Sequence, residues 1–230
     1  MSLTLDQGKV RKVEYPDSDG QPMAENTLQF DWIVTIKENL ADIFRGDPNV
    51  FVAGDLLWYP IEGDNKTRAA PDAMVALGRP SGYRGSYKQW EEGGIAPQVV
   101  FEVLSSGNRI GEMTRKFQFY SDFGVEEYYV LDPYDPMLDG WERRDGKLRE
   151  IEAMDGWTSP RLGIRFAREA GEWKFFRPDG RPFFTFQELR SQLDAEAEKA
   201  RAEAQRADEA TRRVEALKAQ LRALGIEPEA

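Results

Sequence analysis

The chain changes character at Phe186. Before it the sequence mixes apolar, aromatic, glycine and proline residues. After it Ala, Glu and Arg dominate, and neither proline nor glycine occurs until Gly225. Thr185-Phe186-Gln187-Glu188 has the spacing of a capping box, with Thr185 as N-cap and Glu188 at the third helical position. Gly225 stands where a helix-stopping glycine belongs. The interval predicts a helix of about 39 residues, or roughly 58 Å. Leu193, Ala200, Ala207, Val214 and Leu221 recur every seven residues, and Ala197, Ala204, Thr211 and Lys218 fill the complementary seam. Residues 186–230 hold 10 acidic and 8 basic side chains. A thin apolar stripe among alternating charges reads as a coiled coil, either a homo-oligomer such as a dimer or a pairing with a partner helix. A lone extended helix is the alternative. The chain therefore divides into a lead-in (1–25), a folded domain (26–185) and a helix (186–225).

The folded part has the material for a core. Of 230 residues, 40% are hydrophobic and 12% aromatic, which argues against global disorder. No apolar run reaches the roughly 20 residues that span a bilayer. The opening MSLTLDQGKVRK lacks the apolar stretch of a signal peptide. The expectation is a cytoplasmic protein without a membrane segment.

Histidine and cysteine are both absent. That removes Ser-His-Asp and Cys-His nucleophile systems, thiolate and imidazole metal sites, disulfides and a histidine base. Catalysis here must use carboxylates, lysine, tyrosine, hydroxyls or a hard metal. The net charge is −10, of which about −8 falls in residues 1–185. Binding a polyanion then requires a local basic surface.

Along the domain, Asn26 or Thr27 can cap a helix whose Ile33, Ile36, Leu40 and Ile43 follow helical spacing. Three strand-like runs follow: Val50–Tyr59, Pro71–Gly78 and Gln98–Ser105. A long loop, RPSGYRGSYKQWEEGGIAP, joins the last two and carries Arg79, Arg84 and Lys88. A loop of that length in a compact domain is often functional. A helix from about Asn108 to Phe123 and a buried strand, EYYVLDP, come next. Asp145-Gly146 centres a hairpin, and further short strands follow with turns near Gly171 and at Asp179-Gly180.

No phosphate loop, GxGxxG, GxSxG or EF-hand pattern occurs. What remains is a set of carboxylates and a lysine. Asp72 opens the second strand after Pro71, and Glu102 interrupts the apolar run VVFEVL. A carboxylate there is costly to bury without a cationic partner or a metal. If the second and third strands pair, Asp72 and Glu102 meet, and a divalent cation resolves their repulsion. Oxygen donors favour Mg²⁺ or Mn²⁺. Glu112, Lys116 and Tyr120 form one stripe on the following helix, from which Lys116 can reach back to Glu102. Each residue has a plainer reading. Asp72 can be a turn acid, Glu102 an arginine's partner, Glu112 and Lys116 a surface pair, and Tyr120 a core aromatic. Asp55, mid-strand in VAGDLL, is either a third site acid or an outward-facing residue.

Pro71-Asp72, Glu102-Val103-Leu104-Ser105, Lys116, Tyr120 and GVEEYYVLDP, with the long loop and the later WTSPRLGIRF, resemble the Uma-two putative restriction endonucleases of the PD-(D/E)XK nuclease superfamily. The likeness runs from about Tyr15 to Phe186. It implies an α/β (α+β) restriction-endonuclease-like core with a mixed central sheet flanked by helices, to which extra hairpins and the long helix are added. It implies Mg²⁺ (or Mn²⁺) held by Asp72, Glu102 and the Val103 carbonyl. The superfamily's usual lysine lies two residues after the glutamate, where this chain has Leu104; in this family it sits on the next helix, matching Lys116. Glu112 stands where the family commonly has Asp, and Glu25 corresponds to an acidic position near the site.

The leading expectation is a Mg²⁺-dependent endodeoxyribonuclease with a PD...ExL...K site. Asp72, Glu102 and Lys116 are catalytic and Glu112, Tyr120, Asp55 and Glu25 support them. DNA is the partner, met by Arg79, Arg84 and Lys88. The alternative is a catalytically inactive nuclease-fold scaffold that recruits a partner through its coiled coil.

Overall fold

The computed structural model describes residues 13–18, 20 and 22–223. The expected helix stop at Gly225 lies outside them, as do the first twelve residues of the lead-in. The chain divides after Phe183 into two compact units, the second beginning at Phe184.

In the first unit, helix α1 (Thr27–Ile43) begins at Asn26, whose side chain accepts the Gln29 N–H at 3.0 Å. This is the capping geometry the sequence allowed. Its buried stripe includes Gln29, Ile33, Ile36 and Leu40. Six strands form one mixed sheet. In chain order they are β1 (Val50–Ala53), β3 (Ala73–Leu77), β5 (Val99–Val103), β6 (Glu127–Asp132), β7 (Met137–Arg144) and β8 (Lys147–Glu150), and they lie side by side in that order. All neighbours run antiparallel except β5 and β6, which are parallel. A parallel pair needs a crossover, and helix α2 (Ile110–Asp122) supplies it. Gly124, at φ 100°, follows it as the expected left-handed stop.

Side chains alternate across the sheet, so it carries two cores. Val75, Phe101, Val103 and Tyr129 face α1 with Phe166, Trp173 and Phe175. The last three come from the hairpin of β9 (Arg165–Glu169) and β10 (Glu172–Phe176). On the opposite face, Met74, Ala76, Val100, Tyr128 and Val130 pack with Tyr120 of α2, and Leu104 adds to this layer. Trp58 and Tyr87 join it from the short parallel pair β2 (Trp58–Tyr59) and β4 (Tyr87–Lys88).

The run expected as one strand from Val50 to Tyr59 is therefore two. The chain breaks at Gly54-Asp55, where Asp55 adopts φ 49° and donates its N–H to the Pro71 carbonyl at 2.9 Å. Asp55 is thus a turn residue rather than a mid-strand one. The hairpin turn at Asp145-Gly146 has both residues at positive φ (51° and 76°), as a two-residue type I′ turn requires.

The second unit contains helix α3 (Phe186–Ala223), 38 residues long. Thr185 and Glu188 form the expected reciprocal box. The Thr185 N–H reaches Glu188 Oε2 at 2.8 Å, and the Glu188 N–H reaches Thr185 Oγ1 at 3.2 Å. Among the described residues no helix is long and apolar enough to cross a membrane.

Candidate active site

The site grows from the register of β3 against β5. Ala73 lies opposite Phe101 in an antiparallel pair. The next rung is Asp72 against Glu102, and alternation turns both toward α2. Asp72 is 9% exposed and Glu102 only 2%. Asp72 Oδ2 accepts the Val103 N–H at 2.7 Å, which ties the acid to the neighbouring strand. Its other oxygen accepts no hydrogen bond among the described residues.

Glu102 is held by two donors from α2. Lys116 Nζ lies 2.6 Å from Oε2, and the Tyr120 hydroxyl donates to Oε1 at 2.5 Å. The residues sit four apart, so one helix face presents both. Burial alone would lower the Lys116 pKa, but Glu102 and Asp72 outweigh it and hold the ammonium above its ordinary value. Lys116 is therefore a cation at neutral pH. Burial first, and then the Glu102 charge, push the Tyr120 hydroxyl well above its usual range, so it donates and stays neutral. Burial and the Glu102 charge also push Asp72 well upward. Two carboxylates share one ammonium, which leaves the group short of positive charge.

Asp72 and Lys116 line a cleft of about 690 Å³, and Lys116 ties Glu102 to it. Asp55, Glu25 and Glu112 also line it. The Glu112 charge acts on Lys116, yet no ion pair joins the two; Lys116 is drawn inward to Glu102. Glu25 Oε2 accepts from Ser105 Oγ at 2.7 Å, and a Cβ added at Gly107 would collide with this carboxylate.

Sequence reasoning missed Gln29. Its Nε2 donates to the Val103 carbonyl at 2.8 Å, and its Oε1 accepts the Glu25 N–H at 2.9 Å. One buried amide thus bridges α1, β5 and the residue before the helix. The available signal was a polar residue in register with Ile33, Ile36 and Leu40.

The long loop's cations do not line this cleft. Arg79 and Arg84 both bind Glu92, at 3.0 and 2.5 Å, and Arg84 lies 4.0 Å over the Phe51 ring. Phe51 pairs with Ala76, four residues or roughly 13 Å along β3 from Asp72. Lys88 pairs with Glu91 at 3.4 Å. The cations that do reach the cleft, besides Lys116, are Lys66, Arg68 and Arg115.

Asp72, Glu102 and the Val103 carbonyl are hard oxygen donors, and Asp72 keeps one oxygen free. Among the described residues no group of three or more acidic side chains is arranged to hold a metal. Two carboxylates suit Mg²⁺, which keeps several waters, better than Ca²⁺, which takes six to eight oxygens. The donor set fits the smaller ion.

A family model described as Uma2, putative restriction endonuclease, matches residues 3–169. The chain belongs to this family. The Uma2 assignment supports a nuclease. A solved structure of a putative nuclease belonging to DUF820 from Anabaena variabilis is similar at TM-score 0.47 and 14% identity, over 62% of this chain and 77% of that one. No relative is found among curated proteins.

Proposed function

We propose that this Uma2 chain is a Mg²⁺-dependent endodeoxyribonuclease. The observation that carries the reading is that Asp72 and Lys116 line one cleft while Lys116 also holds Glu102, the three coming from adjacent strands and the helix that follows them. Asp72, Glu102 and the Val103 carbonyl would hold the ion, which polarises a phosphoryl oxygen and lowers the pKa of bound water.

The protein's own groups do the rest. Lys116 stays charged, so it orients water or stabilises phosphoryl charge as a donor rather than removing a proton. Tyr120 fixes Glu102 Oε1 and leaves the carboxylate one orientation. Gln29 steadies the Val103 carbonyl. Glu25, Asp55 and Glu112 add negative charge at the cleft wall.

Supercoiled plasmid with Mg²⁺ or Mn²⁺ tests this reading. Nicking that disappears in Asp72→Ala and Lys116→Ala supports it, and nicking that persists in both refutes it.

A second reading, an inactive scaffold, draws on the satisfaction of Glu102, whose two oxygens are both already hydrogen-bonded. Calorimetric Mn²⁺ titration separates the two, because a scaffold needs no ion at Asp72. In the nuclease reading the exposed Leu193, Val214 and Leu221 of α3 would serve as the seam of a homodimer, and in the scaffold reading as the face that takes a partner helix.

A further inference from the structure

Lys66 and Arg115 are exposed, line the cleft and have no ion-pair partner among the described residues. Arg68, beside them, uses only Nη1, donating to the Asn65 carbonyl at 3.2 Å. This sets them apart from Arg79, Arg84 and Lys88, each of which already faces an acid. With Lys116 they give the cleft four cations against Glu25, Asp55, Asp72, Glu112 and the Glu102 that Lys116 holds. The cleft is thus within one charge of balance in a chain of net charge −10.

The wall that carries Lys66 and Arg68 is pinned from behind. Asp64 Oδ1 accepts the backbone N–H groups of Lys66 and Thr67 at 2.8 and 3.1 Å. Asn65 Nδ2 donates to the Glu14 carbonyl at 2.8 Å, and the Gly63 N–H donates to the Tyr15 hydroxyl at 2.5 Å. Arg115 reaches the same cleft from α2, one residue before Lys116. A fixed basic segment and a helical cation lining one cleft with paired carboxylates make the charge pattern of a phosphodiester track.

We propose that a DNA strand lies across this cleft, with Lys66 and Arg68 taking phosphates on one side of the reacting position and Arg115 taking one on the other. The proposal rests on the nuclease reading for its substrate, and it moves the DNA contact from the long loop to the segment after β2. Phosphate contacts of this kind position the strand and read no sequence.

The test is fluorescence anisotropy of full-length protein with a labelled 20-base-pair DNA, in Ca²⁺ so that binding is read apart from cutting. The NaCl concentration is varied for wild type, K66A/R68A/R115A and R79A/R84A. The triple variant should lose at least tenfold in affinity at 0.1 M salt. Its slope of log affinity against log salt should be shallower by about 2.7, since each lost phosphate contact on duplex DNA removes about 0.9. R79A/R84A should match wild type, and an unchanged melting midpoint in the triple variant shows that its fold is intact. An unchanged slope in the triple variant, a loss confined to R79A/R84A, or tighter binding of an RNA strand of the same sequence would each overturn the proposal. Wild-type protein that binds through these three cations yet never nicks DNA sinks the nuclease reading and leaves the track standing.

Discussion

Lys116 and Glu102 are a charge pair built across one crossover: the strand residue is 2% exposed, and the helix residue reaches back 2.6 Å to it. A carboxylate at that depth is costly to bury without a cationic partner. The partner is as much a condition of the fold as of any chemistry.

Lys116→Ala should therefore lower stability as well as activity. Breaking a buried pair costs roughly 3–5 kcal/mol. Here about 2 kcal/mol is expected, because the ammonium still reaches solvent. Adding Glu102→Gln should restore part of the loss, since the stranded charge is gone. Urea unfolding of the four proteins in the cycle measures the coupling. Strict additivity would contradict it.

Two buried tyrosines make an internal comparison. Tyr120 donates to a charged acceptor, whereas the Tyr128 hydroxyl is buried without a hydrogen-bond partner. Tyr120→Phe should cost about 1.5–3 kcal/mol, the range for a hydrogen bond to a charged group. Tyr128→Phe should cost nothing or stabilise. Denaturation midpoints of the two variants suffice, and equal losses would be inconsistent with this geometry.

Glu127 should leave a pH signature. It is 1% exposed, and burial raises its pKa despite donors from Ser159 Oγ, the Arg161 N–H and the Tyr129 hydroxyl. A carboxyl whose folded pKa is raised binds more protons in the native state, so its contribution falls as pH rises above the ordinary 4.5. The stability of wild type minus that of Glu127→Gln should therefore decline from about pH 4.5 upward and level off beyond the raised value. A rising difference would reverse the assignment.

Glu92 should matter for the loop and not for cutting. Glu92→Ala leaves Arg79 and Arg84 without their shared acid and should lower the melting midpoint. Plasmid nicking per folded molecule should stay within about twofold of wild type, a difference of under 0.5 kcal/mol in barrier. A hundredfold loss would return the long loop to the site.

Much of this was legible in the residues. Glu102 announced itself as a charge inside an apolar strand, and Lys116 with Tyr120 lay four residues apart on the helix that follows this acid in need of donors. Asp55 misled because VFVAGDLLWY is apolar on both sides of a break set by backbone angle, which composition does not record. The partner of Arg79 and Arg84 lies 13 and 8 residues away in an aperiodic loop, so nothing in the spacing marks it. Gln29 was visible only as a polar interruption of the α1 stripe, and its acceptor, a backbone carbonyl 74 residues on, has no sequence signature.

The crossover between β5 and β6 sets a rule for length variation. Each residue added to a helix turns everything beyond it by about 100°. One extra residue between Ile110 and Arg115 would swing the Lys116 ammonium off Glu102 while leaving the strands paired. The Ser105–Arg109 connector can take up an extra residue without that rotation. Insertions across this stretch should therefore divide sharply, harmless before Ile110 and disabling just after it.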